Sequence, residues 1–365
     1  MHHVSDTQWE FGSFFHWLDY QESEHSINPW DNDGLLFGSG RDAYRSLLKH
    51  GKEMYGWKRL WVPSYFCQSV VSAFVSTGID VKLYNCCPSD KESGFKIAET
   101  KHGDVILRVN FFGLYSSLTD FCIDRSSVDI IDDHSHDPWA DCCWNSDTDW
   151  CVVSLRKTLP VPDGGVLWSP RRHAMPHNPS ITDERRLASL EKLAAMALKA
   201  QYLKGTFVTK DVFRNIAISS EEHIASGDIS GMPEWTSEIM QSFPIIEWRD
   251  QRRSNYETLV NELDNVPWLR LLRPDDSSKT CPFSGILIFD NESRRDYINK
   301  ELVSRRVYLP VLWPLDNPAI SGIPEEHMRI SRTMLSVPCD MRYNRDEIKW
   351  VSNLVKELGD AYGKA

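Results

Sequence analysis

Along the first half of this chain, short apolar runs alternate with stretches whose apolar positions recur at helical spacing. Leu60–Tyr65, Asp80–Asn85, Val105–Phe112, Asp129–Asp133, Cys151–Ser154 and Val166–Trp168 read as strands, rich in β-branched and aromatic residues. Gln68–Ser76 reads as a helix between the first two of them. Another helix follows Gly38-Ser-Gly40, with Ala43, Leu47 and Leu48 among its apolar positions. Near-continuous apolar strands separated by helical segments predict a mainly parallel sheet covered on both faces. The second half is more helical. Thr182 is the N-cap candidate of a helix running to about Lys204, with Leu187, Leu190, Leu193 and Ala194 as its apolar stripe. Ala217–Met232 reads as a polar connector with two glycines, a candidate domain junction. Trp235–Leu263 is helical again, with Ile245, Ile246, Trp248, Tyr256 and Leu259 as core candidates and Arg249, Arg252 and Arg253 as solvated charges. A small α/β unit follows: strand Gly285–Phe289, helix Arg294–Ser304, a proline-interrupted edge strand Val307–Trp313 and a last helix Glu347–Leu358. At the front, the aromatic stretch Trp9–Trp17 reads as an arm, packed on its own core or lining a pocket or subunit interface, and Asn28–Gly34 as a loop. The expected division is an arm (1–33), a large domain (34–232) and a small C-terminal domain (233–365).

In a parallel sheet, chemistry gathers outside the carboxyl ends of the strands. That places Tyr65 and Phe66, Asn110, Asp133 and Lys157 on one rim, from four strands. Lys157 follows Ser154 by three residues and precedes the pair Gly164-Gly165 by seven. A lysine desolvated at a strand end favours its neutral amine, the form that makes Schiff bases. Gly38, Ser39 and Gly40 run straight into a helix, where free N–H groups and the helix dipole suit an anion. Arg41 at that helix start makes sense only opposite such an anion, because the dipole disfavours a cation there. In Asp132-Asp-His-Ser-His136, only Asp133 and His136 leave the strand end toward the rim, too few for a closed metal shell. A carboxylate so placed can instead hold a protonated pyridine nitrogen.

The 365 residues are 41% hydrophobic and 25% charged, an ordinary globular composition. The net charge of −11 leaves no basic excess for a nucleic-acid backbone. No apolar run approaches membrane-spanning length, and the Met1-His-His-Val4 start lacks a basic end followed by an apolar core, so a cytoplasmic protein is expected. Nine cysteines, with Cys86-Cys87 and Cys142-Cys143 adjacent, lack zinc-knuckle spacing. Cys142, Cys143 and Cys151 lie near His134 and His136, where reduced structural thiols are expected rather than a metal site.

Taken together, these segments resemble the DegT-like sugar aminotransferase branch of fold-type I pyridoxal-phosphate enzymes. Ser39-Gly-Arg-Asp-Ala43 resembles the family's phosphate-binding helix start, and Val62-Pro-Ser-Tyr-Phe-Cys67 its strand end bearing a ring over the cofactor. Asn110-Phe-Phe-Gly113, Asp132-Asp-His-Ser-His136 and Ser154…Lys157…Gly164-Gly165 follow in the family's order. The resemblance implies an α/β fold with a seven-stranded, mainly parallel sheet between helices, plus a small C-terminal α/β domain. It also implies pyridoxal 5'-phosphate as cofactor, Lys157 as the internal aldimine, Asp133 on the pyridine nitrogen and His136 beside the cofactor's oxygen side. Ser39, Gly40, Arg41 and Ser154 would hold the phosphate, Tyr65 or Phe66 would stack, Asn110 would lie at the site, and the enzyme would be a homodimer. The activity implied is amino transfer to a small-molecule carbonyl, on a sugar or natural-product pathway. Alternatives on the same fold are a lyase, decarboxylase or C–C bond-forming enzyme, or a non-catalytic ligand-binding protein. Four features depart from the family. The serine-to-lysine step is three residues rather than five, Arg41 stands where a small residue is usual, Cys67 takes the place four residues past Pro63 where the pocket aromatic is usual, and 226–232 lacks the Asn-x-Arg element that reaches a partner subunit's phosphate. Arg41 is therefore expected to clamp the phosphate or to reach an acidic substrate.

Overall fold

The computed structural model describes residues 8–23, 28, 30, 33–89, 100–118 and 128–363. The Met1–Val4 start lies outside them, as do Pro29, Asp31 and Asn32 of the loop expected at 28–34. The arm contributes β1 (Phe11–Gly12), and the chain then runs β2 (Leu35–Phe37), α1 (Gly40–Met54), β3 (Arg59–Pro63), α2 (Gln68–Val75), β4 (Asp80–Tyr84) and β5 (Asp104–Val109). After β6 (Val128–Asp133) come the single turn α3 (Asp141–Trp144), β7 (Trp150–Ser154) and β8 (Gly165–Trp168). Seven of these strands form one sheet in the order β2-β8-β7-β6-β5-β3-β4. It is parallel except at β8, which pairs antiparallel with both neighbours. The physical reason is connection length: the short loop 155–164 can reverse the chain but cannot carry the crossover a parallel neighbour needs. β5 is buried along its whole length, as expected for a strand covered on both faces.

The second half comprises α4 (Asp183–Leu203), α5 (Lys210–Ser226), α6 (Glu234–Met240), α7 (Ile245–Leu263), β9 (Leu269–Leu271), β10 (Ser284–Phe289) and α8 (Glu292–Ser304). β11 (Val307–Tyr308), α9 (Glu325–Arg332), β12 (Met334–Pro338) and α10 (Arg345–Tyr362) complete it. β12, β10 and β9 form an antiparallel sheet, and β11 pairs in parallel with β1. Val307–Trp313 is thus a strand only over its first two residues, and its partner is the arm. Phe11 is fully buried in the core of this layer, stacked 4.0 Å from the Tyr343 ring.

Four expectations are corrected. Thr182 does cap α4, but Leu187 and Leu190 are 56% and 48% exposed, and the inward face carries Arg185, Ala188, Lys192, Ala195, Met196 and Lys199. Ala217–Ser226 is the end of helix α5, not a connector; Ala217 and Ile224 are buried there because α5 packs along α4. The helix expected over Trp235–Leu263 breaks before Pro244, whose ring removes a backbone donor, and Ile246 is exposed while Ile245, Trp248, Tyr256 and Leu259 are buried. Arg249 and Arg252 are not solvated: Arg249 pairs with buried Asp137, and buried Arg252 donates to Thr158 O at 3.2 Å. The strands β2 and β9 have no signature in the hydropathy pattern, because each is only three residues long.

Candidate active site

The strands β7, β6, β5 and β3 are neighbours, so their carboxyl ends bring Ser154, Asp133, Asn110 and Tyr65 to one rim. A 3₁₀ turn, Leu155–Lys157, continues β7 over the rim and carries Lys157 with it. On the far side of the same rim β2 delivers the start of α1, where Ser39 bridges to Gly164. This approach is very close. A Cβ at Gly165 would lie 2.3 Å from the Ser39 carbonyl carbon, and one at Gly40 would lie 2.9 Å from Ser154 Cβ. Glycine at both positions is therefore what allows α1 to start against Ser154.

Asp133 is 6% exposed and both its oxygens are held. Tyr44 Oη donates to Oδ2 at 2.8 Å, and the Ser135 N–H donates to Oδ1 at 2.8 Å. Burial, and then the Asp133 carboxylate, raise the Tyr44 phenol well above its ordinary pKa, so it remains a donor. His136 is buried among the rings of Phe112, Phe283 and Trp313, with centroids 5.4, 4.8 and 5.4 Å away. Burial, with Lys157 second, lowers its pKa well below 6.5 and keeps it neutral. Its Nδ1 accepts the Phe112 N–H at 3.0 Å, so the proton of the neutral ring sits on Nε2, 3.5 Å from Lys157 Nζ. The histidine thus offers the lysine an N–H. Phe112 reaches this position with φ 56°, a left-handed conformation costly for a bulky residue, followed by Gly113 at φ 66°. Lys157 Nζ also lies 5.2 Å from the Trp313 ring centre.

The remaining expected residues divide. Ser39 Oγ accepts the Asp42 N–H at 3.1 Å and donates to the Asp42 carboxylate at 2.8 Å, so this hydroxyl is spent on capping α1. The Gly40 and Arg41 N–H groups, in the first turn of α1, have no intrahelical acceptor. Arg41 is half-buried, and burial followed by the nearby Arg156 charge lowers its pKa. Tyr65 is buried and donates to Leu312 O at 2.7 Å, pointing away into the C-terminal layer. Phe66 stacks on Phe74 at 6.2 Å and meets Trp313 edge-on at 5.5 Å. Asn110 closes its own loop, its amide accepting the Tyr115 N–H at 3.1 Å and donating to Tyr115 O at 3.3 Å.

Asp132 and His134 point to the opposite face of the sheet from Asp133, with Cys151 beside them. Among the described residues these three are the group with metal-ligand chemistry, but Arg108 grips both Asp132 oxygens, at 2.7 and 2.8 Å. Tyr44, Trp313 and Phe283 are site residues that lie outside the motifs, while Phe112 lies inside one without having been singled out. Tyr44 had a signal: a polar ring one turn after Gly40, on the apolar side of α1. Trp313 and Phe283 had none, because distant segments deliver them.

Solved structures share this architecture. TlmJ, an aminotransferase from Streptoalloteichus hindustanus, is 16% identical over 91% of this chain and 87% of its own, with a TM-score of 0.59. Helicobacter pylori PseC, an aminotransferase involved in the biosynthesis of pseudoaminic acid, is 11% identical over 97% of this chain and 100% of its own, at 0.58. A putative sugar aminotransferase from Streptococcus pneumoniae in its PLP form is 10% identical over 90% and 87%, at 0.57. No protein-family model and no curated protein matches the chain. The likeness establishes the fold, which is the fold-type I architecture of these aminotransferases. Among the described residues, no helix is long and apolar enough to cross a membrane.

Proposed function

We propose that this chain is a pyridoxal-phosphate-dependent aminotransferase acting on a small-molecule carbonyl, with Lys157 as the amine that holds the cofactor. The observation that carries the reading is the convergence at one rim of Lys157, a His136 N–H 3.5 Å from its amine, and a doubly held Asp133. The residues fit the group. A fixed carboxylate suits a ring N–H, and the Gly40 and Arg41 N–H groups with Ser154 suit a phosphate at the start of α1. When bound, pyridoxal phosphate supplies the sink for the electrons left by a departing substrate proton. Asp133 keeps the ring nitrogen protonated, and Tyr44 and the Ser135 N–H stop the carboxylate from rotating away. Lys157 Nζ would carry the proton to and from the substrate carbon, the role of a positioned general base. His136, kept neutral by burial and oriented by Phe112, fixes where Nζ lies. A sugar or natural-product intermediate as substrate is supported by the sugar aminotransferase neighbours. A homodimer is supported by the exposed apolar face of α4, where Leu187 and Leu190 meet solvent. A cytoplasmic location suits the free thiols, Cys142, Cys143 and Cys151 among them.

The test is chemical. With pyridoxal phosphate the protein should absorb as an imine, borohydride should abolish that band, and the reduced label should map to Lys157. A label on Lys199, a buried amine whose pKa falls to about 7, or on Lys204 or Lys210, overturns the assignment. An amino donor alone should convert the bound cofactor to its pyridoxamine form. Release of product without that conversion would identify a lyase or decarboxylase instead.

A further inference from the structure

Beside the start of α1, positive charge accumulates without enough negative charge to balance it. Arg156, two residues beyond Ser154, pairs with Glu221 of α5 at 2.9 Å, and Lys192 of α4 donates to the same Glu221 oxygen at 2.9 Å. Arg41 lies close enough to feel both Arg156 and Glu221, and it makes no hydrogen bond or ion pair among the described residues. Three cations thus gather at the Glu221 carboxylate, with the buried Asp163 near Arg156 and Asp42 near Arg41 as the other acids. The neighbouring Asp42 also acts on Arg41, but its oxygens are held by Arg45 and Arg185, the latter at 2.7 Å. The Lys192 amine is 9% exposed, and burial lowers its pKa despite Glu221. Burial alone would raise the Glu221 carboxyl, but Arg156 and then Lys192 hold it below its ordinary value. Arg156 Nε is buried without a partner. The dipole of α1 makes the same spot still less hospitable to cations. In a chain of net charge −11, so local an excess of half-buried cations favours a further anion among them.

We propose that Arg41, Arg156 and Lys192, tied together by Glu221, form an oxyanion subsite built wholly by one chain and suited to a phosphoryl group. It rests on the functional reading above for its occupant, which is either the cofactor's own phosphate or a phosphate on the substrate. The two cases share one chemistry. Arg156 is carried to the site by the 3₁₀ turn Leu155–Lys157, two residues beyond Ser154 and immediately before Lys157. Glu221 holds the cations in place while the site is open, and an arriving phosphate takes over their hydrogen bonds.

The experiment compares the full chain with Arg41→Gln/Arg156→Gln, and with Lys192→Gln in case the double variant fails to fold. Pyridoxal phosphate and pyridoxal, the same aldehyde without the phosphate, are titrated by absorbance, and inorganic phosphate is titrated against the cofactor-loaded protein by calorimetry. If the subsite holds the cofactor phosphate, the variant binds pyridoxal phosphate about 10- to 100-fold more weakly and pyridoxal as before. If it holds a substrate phosphate, both aldehydes bind as before, and the loaded wild type binds inorganic phosphate about 10- to 100-fold more tightly than the variant. Glu221→Gln should tighten binding in whichever arm responds, because a competing carboxylate is gone. Equal affinities for all three probes in wild type and variants overturn the proposal. If neither aldehyde reacts with Lys157, the functional reading falls, and phosphate binding to the unloaded chain, lost or kept in the variants, still decides the subsite.

Discussion

Helices α1 and α4 begin alike and turn opposite kinds of face inward. Each is capped by a hydroxyl, Ser39 or Thr182, that accepts the N–H three residues on at 3.1 Å. The residues at those third positions, Asp42 and Arg185, are buried and pair with each other at 2.7 Å. Beyond that shared contact the helices part. α1 buries Ala43, Tyr44, Leu47 and Leu48, because what lies beneath it is an apolar sheet. α4 buries Arg185, Lys192 and Lys199 and turns Leu187 and Leu190 to solvent, because what lies beneath it is polar: Asp42, Glu221 and the Phe14 carbonyl, which Lys199 Nζ reaches at 2.6 Å. Which face of a helix goes inward is therefore chosen by the chemistry of its neighbour. Apolar content is only the commonest case.

The comparison is most strongly tested at the point that the inner face of α1 supports. Asp133→Asn should keep the fold and much of the cofactor binding while lowering turnover by several orders of magnitude, since a neutral ring is a poor electron sink. Near-normal turnover in a steady-state assay would remove Asp133 from its role. On the α4 side, Arg185→Leu leaves Asp42 buried with Arg45 and the Ser39 hydroxyl and should cost about 1.5–3 kcal/mol in urea unfolding. A cost near zero would mean that α4 is held by its apolar contacts alone. Tyr44→Phe keeps the ring and loses the donor to Asp133, and should cost about 1.5–3 kcal/mol by the same measurement.

A gentler test separates the two faces by pH. Burial lowers the Lys199 pKa from 10.5 to about 7, so between those values the unfolded amine binds a proton that the folded one does not. Stability should therefore rise with pH from about 7 to 10.5 and fall as pH drops back through that window. Lys199→Met should flatten that rise, and an unchanged slope would show that the amine is not the titrating group. The smallest effect is expected outside. Leu187→Ser and Leu190→Ser should each change the urea stability of dilute protein by no more than about 0.5 kcal/mol. The loss should grow with protein concentration if the proposed homodimer closes over this face, and a loss that stays small at every concentration would place the dimer contact elsewhere.

Much of the rim is legible in the order of residues alone. Asp133, Ser154 and Lys157 fall at strand ends that the apolar runs located to within a residue or two, and neighbouring strands in a parallel sheet share one chemical edge. Gly40 and Gly165 stood out as a helix start and a glycine pair, and the close approach they allow between α1 and Ser154 is seen only in the structure. Other roles were not legible. Ser39 looked like a phosphate ligand and is a helix cap, and Tyr65 looked like a stacking ring and donates to Leu312 O. In both cases the residue type suited either use, and only the partner within reach decided.

By itself, the sequence determined what depends on near neighbours along the chain: the longer strands of the large sheet, the starts of α1 and α4, and the lysine-bearing turn. These follow from backbone geometry and side-chain period, which act over a few residues. Tertiary structure alone decided that Trp313 and Phe283 would close around His136, that Arg252 would be buried against Thr158, and that α4 would carry its charges inward. Those outcomes depend on which distant segment arrives opposite a side chain, and a buried polar group is stable only where that segment supplies its partner.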